Sequence, residues 1–290
     1  MSHYPTRLFS QLQKTVGPIK EKNMNLNDFM KREGEQPLDC IVQNGGFCGI
    51  FRKIACIGDS LSSGEHESYE NEAKGYHDYY DYSWGQFFAR DVGCTVYNFS
   101  KGGMTAKAYD KFARENGFYD DAYKSQAYII ALGVNDVSRA IEGVTELGEL
   151  SDIDLTDHAK NRATFTGFYA SIIAKYQAIQ PKAKFFLMTI PRDGGSSERQ
   201  ALYDKHAELL WGISKMLPNC YVLDFRKYAP LYDEAFKKSF YLGGHMNACG
   251  YRLTALMVES YIDYIIRHNP EDFVQVGFIG TPYHNAKRKW

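Results

Sequence analysis

The chain carries almost no net charge: 34 Lys and Arg stand against 35 Asp and Glu, a balance of −1. That absence excludes a general binder of nucleic acid or of anionic membrane, since either needs a basic face. No apolar run reaches the roughly 18 residues that a membrane-spanning helix needs. The first row, "MSHYPTRLFSQLQKTVGPIKEK", lacks the uninterrupted apolar core of a secretory leader. Cys-x-x-Cys pairs are missing; Cys40, Cys48, Cys56, Cys94, Cys220 and Cys249 are scattered. His and Cys do not cluster at ligand spacings, so no metal is expected. These absences point to a cytoplasmic protein with reduced thiols, Cys56 and Cys220 lying in apolar, strand-like runs. Internal repeats and low-complexity tracts are absent too.

What is present is a length of 290 residues, enough for one large domain or two small ones with a substantial core. Aromatics are abundant, with 22 Tyr and 18 Phe. Such residues serve packing, or stacking on sugar rings or bases.

The row "FRKIACIGDSLSSGEHE" organises the rest. Ile54 to Ile57 is a short apolar run of the kind that forms a buried strand. Gly58 ends it with a turn. Asp59 and Ser60 then lie just past the carboxyl end of a strand, where open α/β sheets bind ligands. A serine there is a nucleophile if a base reaches it. Asp59 is read first as a cap for the turn or the next helix, and second as a substrate contact.

Residues 1–50 read as an accessory extension that packs on the core or on another subunit, which leaves a homo-oligomer open. Residues 51–290 read as the main domain. Within the extension, Leu38–Val42 and Phe47–Phe51 suit two strands about Asn44-Gly45-Gly46. Strand one spans about 53–57. A long acidic, aromatic loop follows, and its residues Tyr76 to Trp84 suit a sugar-stacking wall or packing on the core. Tyr80 and Trp84 are therefore candidate substrate contacts. A helix over 83–91 comes next, then strand two (95–98) and a helix from about 105. Strand three (127–132) leads to a polar loop over 139–157 and a helix from about 158 to 180. "AKFFLMTIPRDGG" is strand four, with a helix to Leu217. "CYVLDF" is strand five, and a long apolar-striped helix closes the chain after Asn247, which should cap it. Five alternations of strand and helix predict a mostly parallel α/β sheet with helices on both faces. Ser60, Gly103, Asn135, Arg192 with Asp193, and His245 each follow one strand and should share one edge. Arg192 suits a substrate carboxylate or a solvated loop. Asp136 should brace the Asn135 loop. His77, His158 and His206 are expected at the surface.

The order Gly58-Asp59-Ser60-Leu61, Gly103, Gly133-x-Asn135-Asp136 and His245-x-Asn247-x-x-Gly250-Tyr251 resembles the SGNH, or GDSL, hydrolase superfamily over about residues 52–268. The Gly-x-Ser-x-Gly elbow of α/β-hydrolases is absent, because the row reads Gly58-Asp59-Ser60-Leu61-Ser62. The resemblance implies a flavodoxin-like three-layer α/β/α sandwich with a five-stranded, mostly parallel sheet, and a serine esterase or lipase/acylhydrolase. It implies Ser60 as nucleophile and His245 as general base. It also implies an oxyanion hole from the Ser60 and Gly103 N–H groups and the Asn135 amide. A hydroxyl needs a base, imidazole can serve as one near neutral pH, and the tetrahedral oxygen needs fixed donors. No cofactor is required.

The family places an aspartate three residues before the histidine, but Leu242 stands there and Gly243-Gly244 follow it. The expectation is a Ser–His pair, with a backbone carbonyl near Leu242 holding the imidazole. An acid from another loop, Asp193 or Glu65, is the alternative. The expected substrate is a short-chain, acetyl-type ester on a carbohydrate. The alternatives are a lysophospholipase or short-chain lipid esterase, and a weakly catalytic glycan-binding protein on the same fold.

Overall fold

The computed structural model describes residues 30–70 and 73–280. The chain divides into two units, Met1–Glu35 and Gln36–Trp290. The described part of the first is a turn, closed by the Glu35 N–H donating to the Arg32 carbonyl at 3.2 Å. The second unit carries every element discussed below.

In chain order its strands are β1 (Lys53–Gly58), β2 (Glu65–Glu70), β3 (Ala73–Asp78), β4 (Thr95–Ser100), β5 (Ala127–Ala131), β6 (Lys184–Met188), β7 (Cys220–Leu223), β8 (Tyr241–Leu242) and β9 (His245–Met246). The helices used below are α1 (Ser60–Ser63), α2 (Trp84–Val92), α3 (Ala106–Glu115), α4 (Val134–Ile141), α5 (Phe165–Ile179), α6 (Ser197–Met216), α7 (Phe225–Tyr228), α8 (Glu234–Phe240) and α9 (Ala248–His268).

The central sheet runs β4-β1-β5-β6-β7. All of its pairings are parallel. Side chains alternate across a strand, so each strand feeds two cores. Ile54 and Cys56 face one layer, with Trp84 and Phe88 of α2 and Tyr261 and Ile262 of α9. Ala55 and Ile57 face the other, with Tyr109 of α3, Ile173 of α5 and Leu210 of α6. Strands buried on both faces read as near-continuous apolar runs, which is why β1, β5 and β6 stand out in the sequence. The expected three-layer α/β/α sandwich is the observed one. Its strand order reverses between β1 and β5, and such a switch point opens a crevice at the carboxyl ends of those strands.

Three local expectations are corrected. No strand forms over residues 38–51. Instead Gly46–Ile50 makes a 3₁₀ turn. The backbone donors of this segment find side chains on α9: Val42 N–H meets Ser260 Oγ at 3.1 Å and Phe47 N–H meets Asp263 Oδ1 at 2.8 Å. The long loop after Ser60 contains the antiparallel hairpin β2–β3. The helix expected from 158 starts at Phe165, where Thr164 accepts from Gly167 N–H. Among the described residues, no helix is long and apolar enough to cross a membrane.

Candidate active site

Gly58 ends β1, and Asp59 turns the chain into α1 by capping it. Its Oδ1 accepts from Leu61 N–H at 3.0 Å. This is the capping role expected of Asp59. Ser60 is the first residue of the short helix and lines the cleft. Asp59 is buried, and burial pushes its carboxyl up to about 7, against the pull of the Leu61 N–H. Ser63 Oγ donates to Asp78 Oδ1 at 2.7 Å, which ties α1 to the end of the hairpin. Tyr251 of α9 donates to the Glu65 carbonyl at 2.5 Å, which ties down its start.

Asn135 enters from α4, after the neighbouring strand β5. Its amide nitrogen donates to Asp59 Oδ2 at 3.2 Å and to the Met104 carbonyl at 3.1 Å. The side chain thereby links the Ser60 turn to the turn that holds Gly103. Asp136 accepts from Ala106 N–H at 3.1 and 3.2 Å, at the first turn of α3. It braces the loop, as expected, and burial raises its carboxyl to about 6. Three strand ends are thus joined by two adjacent side chains.

His245 sits on β9, in a two-residue hairpin with β8. Its Nδ1 lies 3.4 Å from Glu67 Oε1. That overturns the expectation of a main-chain partner: the acid exists, and it comes from β2. Glu67 is buried, and its Oε1 also accepts from Gly244 N–H at 2.6 Å. The Gly243-Gly244 pair is what admits it. A Cβ on Gly243 would stand 1.9 Å from Glu67 Oε2, and that residue has φ +71°. The glycines that displace the aspartate pattern make room for a carboxylate from elsewhere. Asp193 is occupied otherwise, accepting from Gly195 N–H at 3.0 Å. Glu65 does meet His245, but at the other nitrogen: Oε1 lies 3.1 Å from Nε2. So Nε2, too, has a carboxylate for its neighbour.

Ser60, Asn135 and His245 line one cleft of about 470 Å³, a size typical of small-molecule sites. Its apolar wall includes Met188, Ile190, Phe225, Tyr232 and Met246. Trp84 lies at the buried end and donates to Ser62 Oγ at 3.3 Å. Tyr80 and Arg192, two residues expected to contact substrate, are not on this wall. The Tyr80 hydroxyl donates to the Val96 carbonyl at 2.6 Å, on the edge of β4. Arg192 is exposed, and the cation on the cleft wall from this region is Arg199. Nearer the histidine, the exposed Tyr76 ring stands edge-on to His245 at 5.6 Å. His206, expected at the surface, is fully buried on α6. Its Nε2 lies 3.1 Å from the Leu132 carbonyl, so that nitrogen must carry the proton and donate. Burial holds the ring neutral, with its pKa lowered to about 4. It supports the strand end that leads to Asn135.

Among the described residues, no three or more His, Cys, Asp or Glu are grouped to hold a metal ion. The chemistry at hand is a hydroxyl, an imidazole, a carboxylate behind it and amide donors beside it. Sequence reasoning missed Glu67. The clue was the alternation Glu65-His66-Glu67 after a turn, which puts both carboxylates on one side of a strand.

The sequence matches the GDSL-like Lipase/Acylhydrolase family over residues 56–253. No curated protein matches it. Among the solved structures that share the fold at low identity are two. One is a family two carbohydrate esterase from Clostridium thermocellum in complex with cellohexaose (16% identity, TM-score 0.52, covering 76% of this chain and 65% of that one). The other is a possible lipase from Chitinophaga pinensis (15% identity, TM-score 0.51, 75% of this chain and 98% of that one). The family match takes in Ser60, Gly103, Asn135 and His245 and spans well over half of the chain, which therefore belongs to the GDSL-like lipase/acylhydrolase family and is an ester hydrolase.

Proposed function

We propose that Ser60, His245 and Glu67 act as a nucleophile–base–acid triad on short acyl esters of a carbohydrate or similar polyol. The observation that carries this is the Glu67–His245 contact in the cleft that Ser60 lines. Ser60 Oγ attacks the ester carbonyl as its proton passes to His245 Nε2. The carbonyl oxygen becomes an oxyanion held by the N–H groups of Ser60 and Gly103 and by the Asn135 amide. Collapse breaks the bond to the alcohol, which leaves with the proton from Nε2. Water then attacks the acyl-enzyme by the same route. Glu67 keeps the Nδ1 tautomer and favours the imidazolium that forms in each half-reaction.

The alcohol side of the reading rests on exposed aromatics. Tyr76, Tyr79 and Tyr82 are each about half exposed, Tyr76 beside His245 and the other two beside His66. A flat ring beside a catalytic histidine suits the apolar face of a sugar. A second reading has its own support. The wall of Met188, Ile190, Phe225 and Met246 has room for an acyl group longer than acetyl, as in a short-chain lipid ester. Turnover of p-nitrophenyl esters from acetate to octanoate separates the two. Highest kcat/KM at acetate to butyrate supports the first reading; a steady rise to octanoate replaces it with the second.

A further inference from the structure

Both nitrogens of His245 face carboxylates: Nδ1 is 3.4 Å from Glu67 and Nε2 is 3.1 Å from Glu65. At 3.1 Å from Nε2, the Glu65 oxygen stands where the Ser60 hydroxyl must come to hand over its proton. The free site is closed by its own side chain.

The position of Glu65 makes this more than a passing contact. Its side chain is only 17% exposed. Its backbone is fixed by Tyr251, whose hydroxyl donates to the Glu65 carbonyl at 2.5 Å. Its other oxygen lies against Gly102, where a Cβ would come within 2.4 Å of Oε2. The carboxylate thus spans from the base to the turn before Gly103. A negative group there opposes the oxyanion that must form beside it, unless something neutralises or binds it. Moving it off His245 leaves a half-buried carboxylate in need of a donor, and an unsatisfied buried acceptor is costly.

We propose that Glu65 is a specificity residue, which yields Nε2 only to esters whose alcohol part brings a hydroxyl to its carboxylate. Such a substrate exchanges one donor for another at Glu65 and opens the base in the same step. A plain alkyl ester has nothing to offer it. This rests on the reading of Ser60 and His245 given above and narrows it to esters with a hydroxyl close to the scissile bond.

The test uses the full chain and two esters of one size, hydroxyethyl acetate and propyl acetate. The wild-type enzyme should favour hydroxyethyl acetate in kcat/KM by about tenfold or more, the scale of one charge-assisted hydrogen bond. In Glu65→Ala the ratio should fall at least fivefold, chiefly because propyl acetate improves. Glu65→Gln keeps the shape without the charge and should also lose preference; it serves if the alanine variant proves unstable by thermal unfolding. No preference in the wild type, or the wild-type ratio kept in a folded Glu65 variant, overturns the proposal. Labelling of Ser60 by a fluorophosphonate in the Glu65→Ala variant, whose base nothing closes, keeps the two ideas apart. A labelled Ser60 with an unchanged ratio sinks only the role of Glu65, whereas an unlabelled Ser60 sinks the underlying reading as well.

Discussion

His245 Nδ1 and Glu67 Oε1 stand 3.4 Å apart although 178 positions separate them in sequence. The contact is made by the tip of one hairpin folding over another. Gly244 N–H, at 2.6 Å from the same oxygen, holds the carboxylate in place. An acid so placed should matter to the reaction. Glu67→Gln should lower kcat on p-nitrophenyl acetate by about 10³- to 10⁴-fold with little change in KM, by analogy with the corresponding change in a known serine protease. Glu67→Asp should recover part of the loss. A loss under tenfold would mean that main chain alone orients the imidazole.

Asn135 presents an amide that is already engaged by Asp59 and by the Met104 carbonyl. The amide nitrogen has two N–H groups and both are in use, so one must leave its partner to serve an oxyanion. Asn135→Ala should cost about 10²- to 10³-fold in kcat, the scale measured for removal of one such donor elsewhere. Pre-steady-state bursts should show that acylation is the slowed step.

Tyr76 is 55% exposed, with its ring beside that of His245. Tyr76→Ala should raise KM severalfold for an acetylated glycoside, the equivalent of about 1 kcal/mol of ring contact. The kcat for p-nitrophenyl acetate should change much less. Equal loss on both substrates would point to a packing role.

The cleft positions of Ser60 and Asn135 were legible because each follows its own strand, and strands buried on both faces announce themselves as apolar runs. The fold follows from the same runs. Glu67 was not legible because β2–β3 alternates among polar residues, which a rule based on apolar period does not register. Its meaning also depends on Gly243-Gly244, far along the chain. His206 misled for a related reason. A polar residue on a helix suggests solvent until its partner, here the Leu132 carbonyl, is known. Tyr80 and Arg192 lie near site residues in sequence, but nearness does not say which way a side chain points. Tyr80 turns to the β4 edge.

Stability should depend on pH through buried acids. Glu259 is fully buried on α9. Burial, then the nearby Asp91 carboxylate, raises its pKa from 4.5 to about 8. A folded-state value above the unfolded one favours the folded form at low pH. That contribution is complete below about 4.5 and is lost as pH rises through about 8. Asp59 and Asp136 act with the same sign, up to about 7 and about 6. Glu259→Gln should therefore gain on the wild type between pH 5 and pH 8.5 by more than about 1 kcal/mol in urea unfolding. A pH-independent difference between the two proteins would contradict this assignment.

The triad itself is tested most directly by covalent capture. Intact-mass and peptide mapping of Glu65→Ala, whose base is open, after exposure to a fluorophosphonate should show one adduct, on Ser60. It should be absent when Ser60→Ala is added and form at least 100-fold more slowly when His245→Ala is added. No adduct, an adduct elsewhere, or undiminished labelling without His245 would contradict the pairing of Ser60 with His245 on which the mechanism stands.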